Sequence, residues 1–305
     1  MGKTAVFGSI FVDVKGFPFG KYLPTGRNIG DVKFIHGGVC RNVAEDMANI
    51  SHSVSFVTMF EDSGIGDEVR RRLAAHGVDL KYAVTAPAGM GMWLAVMDEK
   101  GDLAGSISRQ PDFSAMEKLV KEKSDEILGE CSELVLEVDM NPEIARTVFE
   151  SAERCGRDVY VVVGNMGVIL KHPEYLAKAK LFIMNEIEAG CLFDCEFDPS
   201  RPYEVLERTK IEAQKRGIGE IVVTLGEYGA VFYDAASGDS GHVPPIKARL
   251  VDSTGAGDAF FSGTVAARIN GLSLREAAEK GTRLASLTIQ SKESVCPRLE
   301  DFLDA

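Results

Sequence analysis

The sequence contains no apolar run that approaches the roughly eighteen residues needed for a transmembrane helix. Its six cysteines form no Cys-x-x-Cys pair and its five histidines do not cluster near them, so a structural zinc site is not expected. No charged leader with a long apolar core precedes the first strand-like segment. We therefore expect a soluble, cytoplasmic protein with reduced thiols and no membrane partner.

Basic residues are scarce relative to acidic ones. Lysine and arginine together number 34, aspartate and glutamate number 46, and the formal net charge is −12. Because nucleic-acid binding needs a basic surface, we expect no nucleic-acid partner. A small anionic ligand remains compatible with this charge, since backbone amides and a divalent cation can form a positive pocket locally.

What the chain does contain is an alternation of short apolar runs with amphipathic stretches over 305 residues. The runs predicted to be strands are Thr4–Ile10, Val54–Phe60, Glu133–Val138, Val159–Val163, Leu181–Met184, Glu220–Thr224 and Val231–Tyr233. The stretches predicted to be helices are Asn42–Ala48, Asp67–His76, Asn141–Cys155 and Tyr203–Arg216. This alternation predicts an α/β fold with a mostly parallel sheet covered on both faces.

Two segments interrupt the alternation. Residues 11–35 are rich in glycine, proline and aromatic residues, and residues 89–112 read as strand, turn and strand. The turn Asp98-Glu99-Lys100-Gly101 between two β-rich runs is a hairpin signal. The two segments are compatible with static surface hairpins or with a small β lid that excludes water from a site.

The most informative motif is Asp252-Ser253-Thr254-Gly255-Ala256-Gly257-Asp258-Ala259-Phe260. It follows an apolar run, Ile246–Val251, that we interpret as a strand region, and it precedes a helical pattern. A Gly-Ala-Gly turn that opens a helix leaves backbone N–H groups free to bind an anion. Asp258 could be a base beside that anion, or a simple helix cap that offsets the helix dipole.

The nonapeptide resembles the C-terminal signature of the ribokinase/PfkB family of carbohydrate kinases, Asp-Thr-Thr-Gly-Ala-Gly-Asp-x-Phe, with Ser253 as the one change. The resemblance implies ATP-dependent phosphorylation of a hydroxyl group, with Asp258 as catalytic base and the amides of Gly255, Ala256 and Gly257 as the anion hole. It also implies a ribokinase-like three-layer α/β/α sandwich with a mostly parallel central sheet. The single kinase domain would span residues 1–305, with a lid at about 11–36 and 89–112.

A second part of the resemblance concerns substrate binding. Gly37-Gly38-Val39-Cys40-Arg41-Asn42 matches the family's Gly-Gly-x-x-x-Asn pattern, which otherwise reads as a glycine turn before a helix. Asp13, shortly after the first strand, matches the family's aspartate that binds substrate hydroxyls. The substrate-binding residues implied are Asp13, Gly37, Gly38, Arg41 and Asn42.

A third part concerns ATP and metals. Asn185 and Glu188 match the family's Asn-x-x-Glu motif for phosphate and Mg²⁺, although acidic residues also favour helix N-termini in general. By the same resemblance, Thr224 and Gly226 would contact ATP. Asp252 matches a residue that holds a monovalent cation, K⁺ in many members. Glu293 stands where many relatives have glycine, which leaves potassium activation an open question.

The acceptor is less well determined. The patterns at 37–44 and 237–247 resemble the pseudouridine kinase branch, and Phe11 replaces an asparagine of ribokinase, which favours a substrate with a ring that can stack. We therefore expect a pseudouridine or other nucleoside kinase. The alternatives are a kinase for a free sugar or a sugar phosphate, with Arg109 or Arg27 binding the phosphate, and a non-catalytic nucleotide-binding protein. The family also implies that the lid can form a homodimer contact.

Overall fold

The computed structural model describes residues 2–164 and 166–303. The strands are β1 (Thr4–Phe7), β2 (Phe11–Pro18), β3 (Gly30–Gly37), β4 (Val54–Val57), β5 (Met59–Glu61), β6 (Val84–Ala86), β7 (Gly91–Met97), β8 (Leu103–Arg109), β9 (Glu133–Glu137), β10 (Val159–Val162), β11 (Leu181–Asn185), β12 (Glu220–Thr224), β13 (Ala230–Asp234) and β14 (Ser240–Val243). The helices are α1 (Val39–Asn49), α2 (Gly64–Ala75), α3 (Ser114–Glu130), α4 (Pro142–Cys155), α5 (Glu174–Lys178), α6 (Glu186–Phe193), α7 (Pro202–Arg216), α8 (Ala256–Ile269) and α9 (Leu274–Thr288).

Within the described residues the central sheet has eight strands in the order β14-β13-β12-β11-β10-β9-β1-β4. The strands from β4 to β12 in this order pair in parallel, whereas β13 and β14 pair antiparallel at one edge. The carboxyl ends of the parallel strands therefore meet along one edge, which is where ligands bind in such sheets.

Alternate residues of the parallel strands enter two separate hydrophobic clusters. Leu134 and Leu136 of β9 pack with α3 to α7 on one face, and Val135 packs with α1, α2, α8 and α9 on the other. Burial on both faces explains why these strands are continuously apolar in the sequence. The predicted three-layer α/β/α arrangement is confirmed.

A second sheet, here called the lid sheet, has the strand order β3-β2-β7-β8. The β2–β3 and β7–β8 pairs are antiparallel, and β2 pairs in parallel with β7. At the β7–β8 turn, the Asp98 N–H donates to the Asp102 carbonyl at 2.8 Å and the Gly101 N–H donates to the Asp98 carbonyl at 3.1 Å. The hairpin signal at Asp98–Gly101 thus corresponds to a closed turn.

Three strand predictions were wrong in detail. The run Thr4–Ile10 is a strand only as far as Phe7, and β2 begins at Phe11. The run Val54–Phe60 divides at Thr58 into β4, in the central sheet, and β5, which pairs with β6. The run Ile246–Val251 forms no strand, and its Leu250 is 66% exposed. Pro244 and Pro245 follow β14 directly and have no N–H to continue a ladder of hydrogen bonds.

Among the described helices, none is both long enough and apolar enough to cross a bilayer. All six cysteines are free thiols, and Cys40, Cys131 and Cys296 are buried. The hydrophobic core is thus held by side-chain packing without help from disulfides.

Candidate active site

The N-terminus of α8 forms an open backbone cradle. Gly255, which precedes the helix, has φ +81°, and a Cβ atom there would lie 1.9 Å from the Ser294 carbonyl oxygen. Only glycine is compatible with that conformation and contact. The Ala256 N–H donates to the Ser253 carbonyl at 3.2 Å. The Gly255 and Gly257 N–H groups have no protein partner in residues 2–164 and 166–303, so they are available to an anion.

Asp258 lies in the first turn of α8, directly beside this cradle. Burial raises the pKa of its carboxyl group to about 7, a hydrogen bond from Asn42 acts in the opposite direction, and the Glu137 carboxylate raises it further. The Asn42 Nδ2 atom lies 2.7 Å from Asp258 Oδ2. A carboxylate poised near neutral pH is well suited to accept a proton from a hydroxyl group.

Asp258 lies at the wall of a cleft of about 340 Å³ between the central sheet and the lid sheet. Four other residues predicted to bind substrate also line this cleft, namely Asp13, Gly37, Gly38 and Asn42. Burial raises the pKa of Asp13, and the nearby Lys15 opposes that shift. Residues far apart in the sequence thus meet at one cavity, as the resemblance implied.

The turn before α1 explains how Asn42 reaches Asp258. Gly38 has φ +101°, and a Cβ atom there would approach the Phe11 nitrogen and the Ser9 oxygen to 2.9 Å. This close approach lets α1 begin at Val39 against the start of β2, with Asn42 in its first turn. The glycine motif is therefore needed for local packing as well as for access to the cleft.

Glu137 was not predicted from the sequence, but it also lines the cleft. It accepts hydrogen bonds from the Ser9 N–H at 2.8 Å and from the Ser9 hydroxyl at 2.9 Å. Burial raises its pKa to about 7, and the bonds from Ser9 oppose the shift. The available signal was an acidic residue that ends an apolar parallel strand, the position where ligand-binding side chains collect. Phe113, just before α3, also lines the cleft.

Arg41, predicted to contact the substrate, does not line the cleft. Arg41 lies on α1, and its side chain is buried inside the protein, with 1% of its surface exposed. One guanidinium nitrogen donates to Asn42 Oδ1 at 2.9 Å, and the other lies 2.5 Å from Glu45 Oε2. Arg41 thus contacts the site through Asn42.

The residues predicted to bind ATP and metal lie farther along the same sheet edge. Asn185 ends β11 and Thr224 ends β12, and the two are paired in register. Asn185 and Glu188 form a capping box at α6: the Glu188 N–H donates to Asn185 Oδ1 and the Asn185 N–H donates to Glu188 Oε2, each at 2.8 Å. Gly226 opens a short 3₁₀ turn with φ +55°. None of these four residues lines the cleft itself.

Comparison with known proteins identifies the family of this chain. The sequence matches the pfkB family carbohydrate kinases over residues 1–300. The chain belongs to this family. It is an ATP-dependent kinase with a sugar or a nucleoside as acceptor, and the non-catalytic alternative is set aside.

This kinase is similar to three known kinases. It is 33% identical over 305 residues to a guanosine-inosine kinase of Exiguobacterium acetylicum, covering 99% of this chain and 100% of the relative. It is 21% identical over 297 residues to the pseudouridine kinase of Escherichia coli strain K12, covering 97% and 93%. The structure of Arabidopsis thaliana ribokinase complexed with ribose and ATP matches it with a TM-score of 0.82 at 21% identity, covering 97% and 96%. The ribokinase-like fold is confirmed.

The two residues predicted to bind metal ions, Glu188 and Asp252, lie in different surroundings. Burial raises the pKa of Glu188, the Asn185 N–H lowers it, and the negative charges of Asp139 and Glu186 raise it again. Asp252 is exposed, and the Thr254 N–H, which donates to its Oδ1 at 2.9 Å, lowers its pKa. The described residues contain no group of three or more acidic, histidine or cysteine side chains that could hold a metal.

Proposed function

We propose that this kinase transfers the γ-phosphoryl group of ATP to a hydroxyl group of a nucleoside, with Asp258 as the catalytic base. The observation that carries the proposal is the Asp258 carboxyl group, with a pKa of about 7, beside the unpartnered amides of Gly255 and Gly257. The similarity to a guanosine-inosine kinase supports a nucleoside as acceptor.

In the proposed mechanism, Asp258 accepts the proton of the acceptor hydroxyl as the γ-phosphoryl group moves in line toward that oxygen. The bond between the γ-phosphorus and the bridging oxygen breaks, and ADP leaves with that oxygen. The N–H groups of Gly255 and Gly257 stabilise the negative charge on the phosphoryl oxygens, and the Ala256 N–H can join them by leaving the Ser253 carbonyl. Because phosphoryl transfer has a loose transition state, positioning and charge stabilisation supply most of the rate enhancement.

The lining of the cleft favours a nucleoside over a phosphorylated sugar. Phe11 and Phe113 offer aromatic surface for a base, and Asp13 and Asn42 offer hydrogen-bonding groups for ribose hydroxyls. No lysine or arginine is among the described residues that line the cleft, so a sugar phosphate would find no cationic partner there. Arg109, a sequence candidate for that role, is paired with Glu61 at 2.7 Å.

We assign ATP to the sheet edge formed by Asn185, Thr224 and Gly226, and Mg²⁺ to Glu188. The donor set fits Mg²⁺, because this ion keeps several waters and needs few protein oxygens, and because a cation relieves the repulsion that Asp139 and Glu186 exert on Glu188. When bound, Mg²⁺ neutralises part of the phosphate charge.

Three further assignments concern a monovalent cation, the cellular location and a second copy of the chain. Asp252 is the proposed ligand for a monovalent cation; the Glu293 carboxylate of the neighbouring loop is engaged with Arg72 at 2.9 Å. A cytoplasmic location accords with the six free thiols. We further propose that a second copy of the chain docks on the lid sheet, whose outer face is apolar and exposed.

The test is a turnover screen with Mg·ATP over purine and pyrimidine nucleosides, pseudouridine, free sugars and sugar phosphates, using the wild-type protein and Asp258→Asn. We expect turnover with nucleosides, and a loss of about 10²–10⁴-fold in kcat for Asp258→Asn with ATP affinity little changed. Turnover of sugar phosphates alone would contradict the nucleoside assignment. Unaltered turnover by Asp258→Asn would contradict the role of this carboxylate.

A further inference from the structure

The side-chain amide of Asn42 is held at both ends. Its Nδ2 donates to Asp258 Oδ2 at 2.7 Å, and its Oδ1 accepts from Arg41 Nη1 at 2.9 Å. The Ser294 hydroxyl, which also points to Oδ1, lies farther away at 3.5 Å. The two ends of an amide have nearly the same shape but opposite hydrogen-bonding character, so its partners decide which end faces Asp258.

Arg41 is suited to make that choice. A guanidinium group has only donors, so it can pair with the oxygen end of the amide and never with the nitrogen end. Arg41 also donates to the His36 carbonyl at 3.4 Å, and it is buried, being 1% exposed. Its position is therefore fixed by the fold and does not depend on a ligand.

The charge of Arg41 is balanced by a buried ion-pair chain. Glu45, which is 0% exposed, lies 2.5 Å from Arg41 Nη2 and accepts from Arg72 at 3.0 and 2.9 Å. Arg72 also reaches Glu293, in the loop after α9, at 2.9 Å. Because Arg72 remains on Glu45, removing Arg41 would not leave Glu45 as a buried charge without a partner.

We propose that Arg41 is a positioning residue that fixes the Asn42 amide with its NH₂ group toward Asp258, and so orients the catalytic carboxylate. This inference rests on the proposed function, in which Asp258 is the base. It assigns Arg41 a role in turnover without contact to the substrate. The ion pair with Glu45 then serves to hold the guanidinium group in register with Asn42.

The charged groups around Asp258 make the pH dependence of kcat/KM a second measurement of the role of Arg41. The acidic groups whose charges interact with it come from three elements: Glu137 on β9, Glu188 on α6 and Asp46 on α1, where the Cys40 thiol also lies. Arg41 is the positive group that acts against them and lowers the pKa of Asp258. Loss of Arg41 should therefore move the acid limb of kcat/KM to higher pH.

The experiment compares Arg41→Met, Asn42→Ala and the double variant by steady-state kinetics with the nucleoside found in the turnover screen. We expect Arg41→Met to lower kcat by about 10- to 100-fold, with the KM for ATP unchanged within about twofold. In the Asn42→Ala background the same change should alter kcat by less than about twofold, because Asn42 carries the effect. Multiplicative losses in the double variant would overturn the inference.

Arg268→Met is the matched control. Arg268 lies on the same helix as Asp258, is 17% exposed and is paired with Glu220 at 2.6 Å. The Arg268→Met variant should unfold at a lower temperature than the wild-type protein, and the acid limb of its kcat/KM profile should not shift. If Arg41→Met fails to fold, Arg41→Lys is the deciding variant. Lysine keeps the positive charge, but its single nitrogen replaces the planar fork whose two nitrogens contact Asn42 and Glu45 separately. Wild-type kcat in Arg41→Lys would overturn the inference, whereas unchanged turnover in Asp258→Asn would instead overturn the proposed function.

Discussion

Two carboxyl groups in the cleft, on Asp258 and Glu137, each have a pKa raised to about 7 because burial disfavours their charged forms. The negative charge on Glu137 raises the pKa of Asp258 further. Asn42 and Ser9 donate hydrogen bonds that oppose these shifts. The protein thus holds these two carboxyl groups in a partly desolvated cavity where a neutral substrate and a phosphoryl group would meet.

The first prediction concerns pH. Asp258 must be ionised to accept a proton, so kcat/KM for the acceptor should fall as the pH drops through about 7, the pKa of this group, and should level off above it. Glu137→Gln removes the neighbouring negative charge, so the acid limb should move to lower pH. The measurement is kcat/KM across the neutral range at saturating Mg·ATP. An acid limb that does not move in Glu137→Gln would show that the two groups are not coupled in the ATP-bound enzyme.

The start of α8 shows how an element, more than any single side chain, forms the anion site. Gly255 packs against the Ser294 carbonyl, so the helix N-terminus is tied to the loop that follows α9. Gly257 differs, because a Cβ atom there would meet nothing within 4 Å. Gly255 is thus required by a backbone contact, whereas Gly257 leaves space above the exposed amides.

These two glycines give a matched pair for a second prediction. Gly255→Ala should lower the free energy of unfolding by about 1–3 kcal/mol, because its φ of +81° and the contact with Ser294 both disfavour a Cβ atom. Gly257→Ala should leave stability unchanged or raise it by up to about 1 kcal/mol, since alanine favours a helix. Urea unfolding of both variants is the measurement. Equal stability of the two would show that the helix start adapts freely to the loop.

Sequence patterns identified the strands whose residues are buried on both faces, such as Leu181–Asn185 and Glu220–Thr224, because local composition decides them. They could not locate the division of Val54–Phe60, which depends on pairing with β6, a segment distant in the sequence. The run Ile246–Val251 was misread as a strand region because apolar composition alone does not supply a partner strand.

The same distinction holds for the site. Asp258, Gly38 and Asn42 were found because they lie in motifs of contiguous residues. Glu137 was missed because its hydrogen bonds come from Ser9, which lies 128 positions away in the sequence. An Arg–Glu pair at i and i+4 is visible in Arg41 and Glu45, but nothing local shows that both are buried or that Arg41 faces the amide of Asn42.

The lid sheet presents different faces to the two sides of the molecule. In β2, Asp13 lines the cleft, and the next residue, Val14, points to the opposite face. The register places Val14 beside Phe34 and Leu94, and Leu94 beside Ile107, so one apolar row crosses all four strands. Phe34 is 58% exposed, Leu94 41% and Ile107 71%. An apolar patch of this kind on a protein with net charge −12 favours contact with another protein surface.

The last prediction follows from that row. If two copies pair through the lid sheets, the wild-type protein should be a dimer at micromolar concentration, and Phe34→Lys with Ile107→Lys should make it a monomer, because lysines facing one another across the contact repel and desolvate poorly. Sedimentation equilibrium measures the mass. Ile211→Lys is the control, since Ile211 is 46% exposed on α7, outside the lid sheet, and should leave the dimer intact. A monomeric wild-type protein would contradict the proposed contact. Retained turnover in a monomeric variant would show that each cleft is complete within one chain.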